Sequence, residues 1–235
     1  MKRIILMVLY NLPFVPYWWW QLCHYAKKAG TYPEEKGYHL LKKITIHANR
    51  GGRIKIEAHG LENIPEKNGF VFYPNHQVHF DVLAFIESSP KPFSVVMKKE
   101  VENTVLLKQV FQIMRAKALD RSDIKHGMRV MAEVTKEVKE GRNYLIFAEG
   151  TRSRNGNHLL DFKGGSFKAA MKAKCPIVPV AIVDSYQAFD TNSIAPVTVQ
   201  VHYLPPILYE EYQNLKSTEV AEIVKKRIEE TIEKI

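Results

Sequence analysis

His76 and Asp81 stand five residues apart in the segment Pro74-Asn75-His76-Gln77-Val78-His79-Phe80-Asp81, directly after an apolar run. A carboxylate that accepts from one imidazole nitrogen fixes the tautomer and leaves the other nitrogen free to take a proton, as a general base must. On a continuous α-helix, five residues turn through about 140° and hold the two side chains apart. On a turn that enters a helix with Asp81 in its first turn, they meet. The same residues also read as a plain helix cap and an ordinary loop histidine, because one His–Asp spacing recurs by chance.

Three more segments place polar groups beside apolar runs. In Phe147-Ala148-Glu149-Gly150-Thr151-Arg152-Ser153-Arg154, Gly150 permits a tight turn and Thr151 and Ser153 carry donors. Glu149 has the chemistry to orient an arginine, and Arg152 to grip a phosphate with two parallel hydrogen bonds. The bland alternative is a polar turn with solvated arginines. Leu119-Asp120-Arg121 closes a short apolar stretch, and Arg121 suits either a phosphate shared with Arg152 or a surface ion pair. The run from Ile177 to Ile182 reads as a buried strand, with Pro179 expected near a strand end or edge because it cannot donate to a ladder. The chain has no Gly-x-Ser-x-Gly, no phosphate-loop motif and no dinucleotide fingerprint. His59, His76 and His79 lack metal-ligand spacing, so neither metal nor bound cofactor is expected.

The elements that must hold these groups alternate. Strands are expected at residues 53–57, 69–73, 93–97, 118–119, 144–147, 177–183 and 197–203. Helices are expected at 81–87, at 101–114, from an N-cap at Ser122 to Gly141, and as an amphipathic terminal helix from Ser217. This alternation predicts an α/β fold with a mixed, largely parallel central sheet flanked by helices, and a site where strands end.

Ahead of these elements, residues 4–23 carry no charge, and all three tryptophans fall at 18–20 beside Tyr17. About 20 apolar residues suffice to span a bilayer, but Pro13 and Pro16 interrupt a simple helix. A kinked helix with an aromatic interfacial belt fits better than a straight span. A core helix is the competing reading; a secretory signal is another, although no small-residue cleavage site follows. Residues 1–50 thus read as a helical membrane-docking region and 51–235 as the α/β domain. The net charge of +9, from 34 basic and 25 acidic residues, favours an anionic partner such as a membrane surface or phosphorylated substrate. Nucleic acid is disfavoured, since stacking aromatics do not accompany the basic residues. Cys23 and Cys175 suit a reduced, intracellular setting.

Taken in order, Asn75 to Asp81, Asp120-Arg121, Phe147 to Ser153 and Val178 to Val180 resemble the motif blocks of the glycerolipid acyltransferases. More narrowly they are similar to the bacterial 1-acyl-sn-glycerol-3-phosphate acyltransferases, over residues 54 to 205. Ala148 replaces the usual proline, and Ala-Lys-Ala-Leu precedes Asp120 where bulkier apolar residues are usual. The resemblance implies acyl transfer from an acyl-carrier-protein or acyl-CoA thioester to the hydroxyl of a lysophospholipid, without an acyl-enzyme. It implies His76 as base, Asp81 as its partner and backbone N–H groups near the helix start as oxyanion donors. Lys98, Arg121 and Arg152 would bind the acceptor phosphate, in a pocket shaped by Glu149, Gly150 and Thr151. It also implies docking at the cytoplasmic membrane face. Glycerol 3-phosphate or another lysophospholipid as acceptor, and a non-catalytic basic membrane-surface protein, are the alternatives.

Overall fold

The computed structural model describes residues 2–104 and 107–235. Its strands are β1 (Ile54–His59), β2 (Val71–Pro74), β3 (Ser94–Lys98), β4 (Lys117–Leu119), β5 (Tyr144–Leu145), β6 (Ile177–Val183) and β7 (Val197–Tyr203). The helices are α1 (Lys2–Asn11), α2 (Val15–Lys27), α3 (Glu34–Gly51), α4 (Asp81–Ser88), α5 (Leu107–Ile113), α6 (Ile124–Lys139), α7 (Lys168–Ala173), α8 (Tyr186–Phe189), α9 (Tyr209–Tyr212) and α10 (Ser217–Ile232).

The strands form one sheet in the order β1-β7-β6-β2-β5-β3-β4. Every neighbouring pair is parallel except β6 with β7, so the sheet is mixed and largely parallel, as expected. Its central strands are buried on both sides, which is why they read as continuous apolar runs. Alternation assigns the faces. Phe70, Phe72, Val178, Val180 and Ile182 join α2, α3 and α4 in one core, through Leu22, Tyr38, Leu41 and Phe85. Val71, Tyr73, Ile177 and Ala181 face α6, α7 and α10, through Val134, Ala170, Val224 and Ile228.

Several expectations change in detail. The strand expected at 144–147 is paired only at Tyr144–Leu145. The helix expected at 101–114 is a single turn at Lys99–Val101 and then α5; residues 105 and 106 of that span lie outside the described residues. The N-cap of α6 is Asp123, whose side chain accepts from the His126 N–H, while Ser122 bonds back to Asp120. Pro179 sits inside central β6. Its carbonyl accepts from Leu204, and the ladder to β7 begins only at Val180, so the missing N–H falls just beyond the paired stretch.

The N-terminal stretch divides at Pro13. Pro16 falls in the first turn of α2, where a missing N–H costs nothing. At 1.5 Å per residue α1 and α2 are about 15 and 20 Å long, short of the roughly 30 Å hydrocarbon thickness. No helix among the described residues is long and apolar enough to cross a membrane. Met7, Trp18 and Leu22 turn into the protein, while Ile5, Leu9, Leu12, Tyr17 and Trp20 stay exposed. Arg3 is not a free flanking charge: it is buried, donating to the carbonyls of Gly52 and Ala195.

Candidate active site

β2 ends at Pro74 and the chain turns before α4 begins at Asp81. That turn resolves the spacing problem: His76 Nδ1 lies 2.7 Å from Asp81 Oδ2. A carboxylate oxygen only accepts, so Nδ1 carries a hydrogen, and in the neutral ring Nε2 is then the nitrogen with the lone pair. Asp81 is fully buried, whereas the His76 side chain retains 15% exposure, enough to meet a substrate. The Phe147 ring stacks on the imidazole with centroids 3.9 Å apart and planes at 23°.

Asp81 is held by backbone as well. Its Oδ2 accepts from the N–H groups of Gln77 (2.7 Å) and Val78 (3.1 Å), and its Oδ1 from the Ser185 hydroxyl. Those two N–H groups at the helix entry are therefore occupied, which removes them from service as oxyanion donors.

The loop after β5 lies directly against this turn. Ser153 N–H donates to the His76 carbonyl at 2.8 Å. Glu149 is buried and orients no arginine. Its Oε1 accepts from the His76 N–H (2.6 Å) and its Oε2 from the Leu160 N–H (3.0 Å). Burial pushes this carboxyl up to about 7, against the lowering effect of those two bonds. Gly150 has φ +72, a left-handed turn, and a Cβ there would meet Lys163 Nζ at 3.0 Å. Thr151 is exposed. Ser153 Oγ is enclosed and has no hydrogen-bond partner among the described residues.

The cations line the same edge of the sheet. Arg152 is half-buried and close enough to His79 to lower that imidazole's pKa, second only to desolvation. Lys98 ends β3 and pairs with Glu100 at 2.8 Å. Arg121 follows β4 and is exposed. Between them Lys99 pairs with Asp120 at 3.2 Å. Bonds from Ser122, then Lys99, hold the Asp120 carboxyl below its ordinary value. The dyad and Arg152 are thus brought together, while Lys98 and Arg121 stand outward along the strand ends. Gln77, Asn157 and Ser185, which complete the hydrogen-bond network around the dyad, carry no local motif. The one signal available for Ser185 is its place just past the end of an apolar strand.

The family profile described as Acyltransferase matches residues 55–183, which contain the His–Asp turn, the Glu149 loop and the three cations and end two residues before Ser185. A 1-acyl-sn-glycerol-3-phosphate acyltransferase of Borreliella burgdorferi is 34% identical over 180 residues, 74% of this chain and 72% of the relative. The protein of the same name from Escherichia coli is 29% identical over 72% of this chain and 69% of its own length. The crystal structure of the 1-acyl-sn-glycerophosphate acyltransferase of Thermotoga maritima superposes with a TM-score of 0.76 at 19% identity, covering 100% of this chain and 99% of that one. The match spans more than half of the sequence and takes in the His–Asp turn, the glutamate loop and β6, and on that ground this chain belongs to the acyltransferase family.

Proposed function

We infer that the chain transfers a fatty acyl group from an acyl thioester to the sn-2 hydroxyl of 1-acyl-sn-glycerol 3-phosphate, giving phosphatidic acid for phospholipid synthesis. The observation that carries this reading is the 2.7 Å contact between His76 Nδ1 and Asp81 in a chain of this family. The acceptor follows the names of the relatives.

His76 Nε2 takes the proton of the acceptor hydroxyl as its oxygen attacks the thioester carbonyl. Asp81 keeps the ring in the required tautomer and stabilises the imidazolium. The tetrahedral adduct collapses as the C–S bond breaks, and the thiolate leaves with the proton from His76. Ester and free thiol result, with no acyl-enzyme and no cofactor beyond the donor. A base so placed is worth about 10²–10⁴-fold. Arg152 grips the acceptor phosphate, assisted by Lys98 and Arg121, while Glu149, Gly150 and Thr151 set the shape of the loop.

The donor is acyl-carrier protein or acyl-CoA, both anionic and suited to a chain of net charge +9. Residues 1–50 dock peripherally, or as a monotopic anchor, on the anionic cytoplasmic face of the cell membrane. The outward Leu9, Leu12, Tyr17 and Trp20 support this, being an apolar and aromatic surface with no protein cover among the described residues. The test is transfer by purified chain from labelled donors of both kinds to a panel of phosphorylated and unphosphorylated acceptors in vesicles. His76→Ala is expected to abolish transfer and leave thermal unfolding unchanged. Near-normal activity in that variant, or a preference for glycerol 3-phosphate, overturns the reading.

A further inference from the structure

We propose that Ser185 is a positioning residue for the dyad: its hydroxyl, delivered by the end of β6, holds the second oxygen of Asp81 and so fixes the angle at which the carboxylate meets His76. The inference rests on His76 being the base.

The two oxygens of Asp81 are used very differently. Oδ2 takes three donors, from His76, Gln77 and Val78. Oδ1 takes one among the described residues, the Ser185 hydroxyl. Both Asp81 and Ser185 are completely buried, so no solvent replaces that bond. The hydroxyl has a single proton and two acceptors in reach, Asp81 Oδ1 and Gln77 Oε1, the latter at 3.0 Å. Gln77 Oε1 is already served by the Tyr186 N–H at 3.1 Å. The anionic oxygen is the stronger acceptor, so the proton goes to Asp81.

The chain has to bend sharply to make this contact. Asp184, between β6 and Ser185, has φ +62, a conformation that side chains other than glycine's adopt at a cost. Asn157 holds it there, donating to Asp184 Oδ1 at 3.0 Å and accepting from the Asp184 N–H at 2.9 Å. The same Asn157 oxygen accepts from Gln77 Nε2 at 2.9 Å. A partly buried network therefore joins the turn after β2, the loop after β5 and the end of β6, with the dyad at its centre. Local strain kept in place by surrounding bonds is how sites are pre-organised.

The experiment compares Ser185→Ala, Ser185→Thr and His76→Ala in the same vesicle assay, with thermal unfolding recorded for each. Without the donor to Oδ1 the carboxylate as a whole is more basic and the hold of its Oδ2 on imidazolium stronger, so the acid limb of kcat/KM for Ser185→Ala is expected to move to higher pH. The expected kcat is about 10-fold lower, with KM for donor and acceptor within about twofold of the parent. Ser185→Thr, which keeps the hydroxyl, is expected to recover kcat to within about threefold and restore the limb. The neighbouring titratable groups His79, Glu149 and Arg152 are the same in all variants, so they do not account for a moved limb. Unchanged kcat in Ser185→Ala sinks the proposal. So does a lower kcat with an unmoved limb, since a purely structural residue gives that. If Ser185→Ala does not unfold cooperatively, Ser185→Cys, of similar volume but a weak donor, is judged by the same readouts. An active His76→Ala would instead defeat the general-base reading itself; an inactive one beside an unaffected Ser185→Ala defeats only the role of Ser185.

Discussion

The ring of Phe147 stacks on that of His76 with centroids 3.9 Å apart and planes inclined by 23°, so the loop after β5 supplies a wall against one face of the imidazole while Asp81 holds its Nδ1 edge. One contact restrains rotation about the bond to the ring and the other selects the tautomer. Phe147→Leu keeps the site apolar but removes the flat wall. An aromatic pair is worth about 0.5–1.5 kcal/mol beyond its buried area, so kcat should drop about 3–10-fold with little change in KM. A change in KM alone would show that Phe147 packs on substrate and not on the base.

Asp81→Asn tests the other restraint. An amide presents N–H₂ where Oδ2 or Oδ1 now accepts, so it meets the Gln77 and Val78 N–H groups or the Ser185 hydroxyl, and it loses the charge that stabilises imidazolium. The expected fall in kcat is about 10²–10⁴-fold, the full value of the base. Steady-state kinetics at saturating donor decide it, and a loss below fivefold would remove Asp81 from the mechanism.

The sequence carried the frame and the dyad further than it carried the support around them. Residues 177–183 and 197–203 are read correctly as strands because each is an apolar or alternating run bounded by breakers, and such patterns are local. His76 with Asp81 is legible for the same reason: the spacing makes contact possible once a turn precedes a helix. Glu149 was legible as important but not in its role, since its partner is the backbone of His76, 73 positions away in the chain. Ser185 lies 104 positions from Asp81, and no pattern in its own neighbourhood reports a hydrogen bond of that range. The misplaced N-cap of α6 has a local cause. Ser122 and Asp123 are both good caps, and Asp120 has already engaged the serine.

Glu149 makes the stability of the chain depend on pH. Its carboxyl is raised from 4.5 to about 7 by burial, so between those values the folded chain holds a proton that the unfolded chain has released. The unfolded state then binds fewer protons, and the contribution of this group to stability declines as pH rises through that window, by at most about 1.4 kcal/mol per pH unit. Glu149→Gln has no such proton. Urea unfolding of both proteins at pH 5 and pH 7.5 should show their difference moving in favour of the glutamine variant at the higher pH, on top of a constant loss from the mismatched N–H partner. A gap that stays constant with pH would mean that Glu149 ionises normally in the fold.

The outward faces of α1 and α2 are expected to carry membrane affinity without entering the core. Leu9 and Trp20 are each 60% exposed, so replacing both with serine should leave thermal unfolding nearly unchanged. Removing two large apolar groups from a lipid interface should weaken partition onto anionic vesicles by about 10-fold or more. Flotation measures this directly, and unaltered partition would shift the docking surface elsewhere on the chain.

The three cations should contribute unequally, and sheet order says in which sequence. From β2, which delivers His76, the order runs to β5, β3 and β4, each step about 4.8 Å. Arg152 follows β5 and is electrostatically coupled to His79, within the dyad's own turn. Lys98 at the end of β3 is a step further and partly neutralised by Glu100. Arg121 follows β4, three steps or about 14 Å from β2, more than a phosphate bonded to the reacting glycerol would span without help from its flexible side chain. Charge reversal is not needed to rank them, because Arg→Gln and Lys→Gln remove the cation at nearly constant volume. Acceptor KM should rise most for Arg152→Gln, by about 10–100-fold for a charge-assisted pair, less for Lys98→Gln, and least for Arg121→Gln. Were Arg121→Gln to have the largest effect, the phosphate would sit over β4, and the glycerol would have to approach His76 across the ends of β3 and β5.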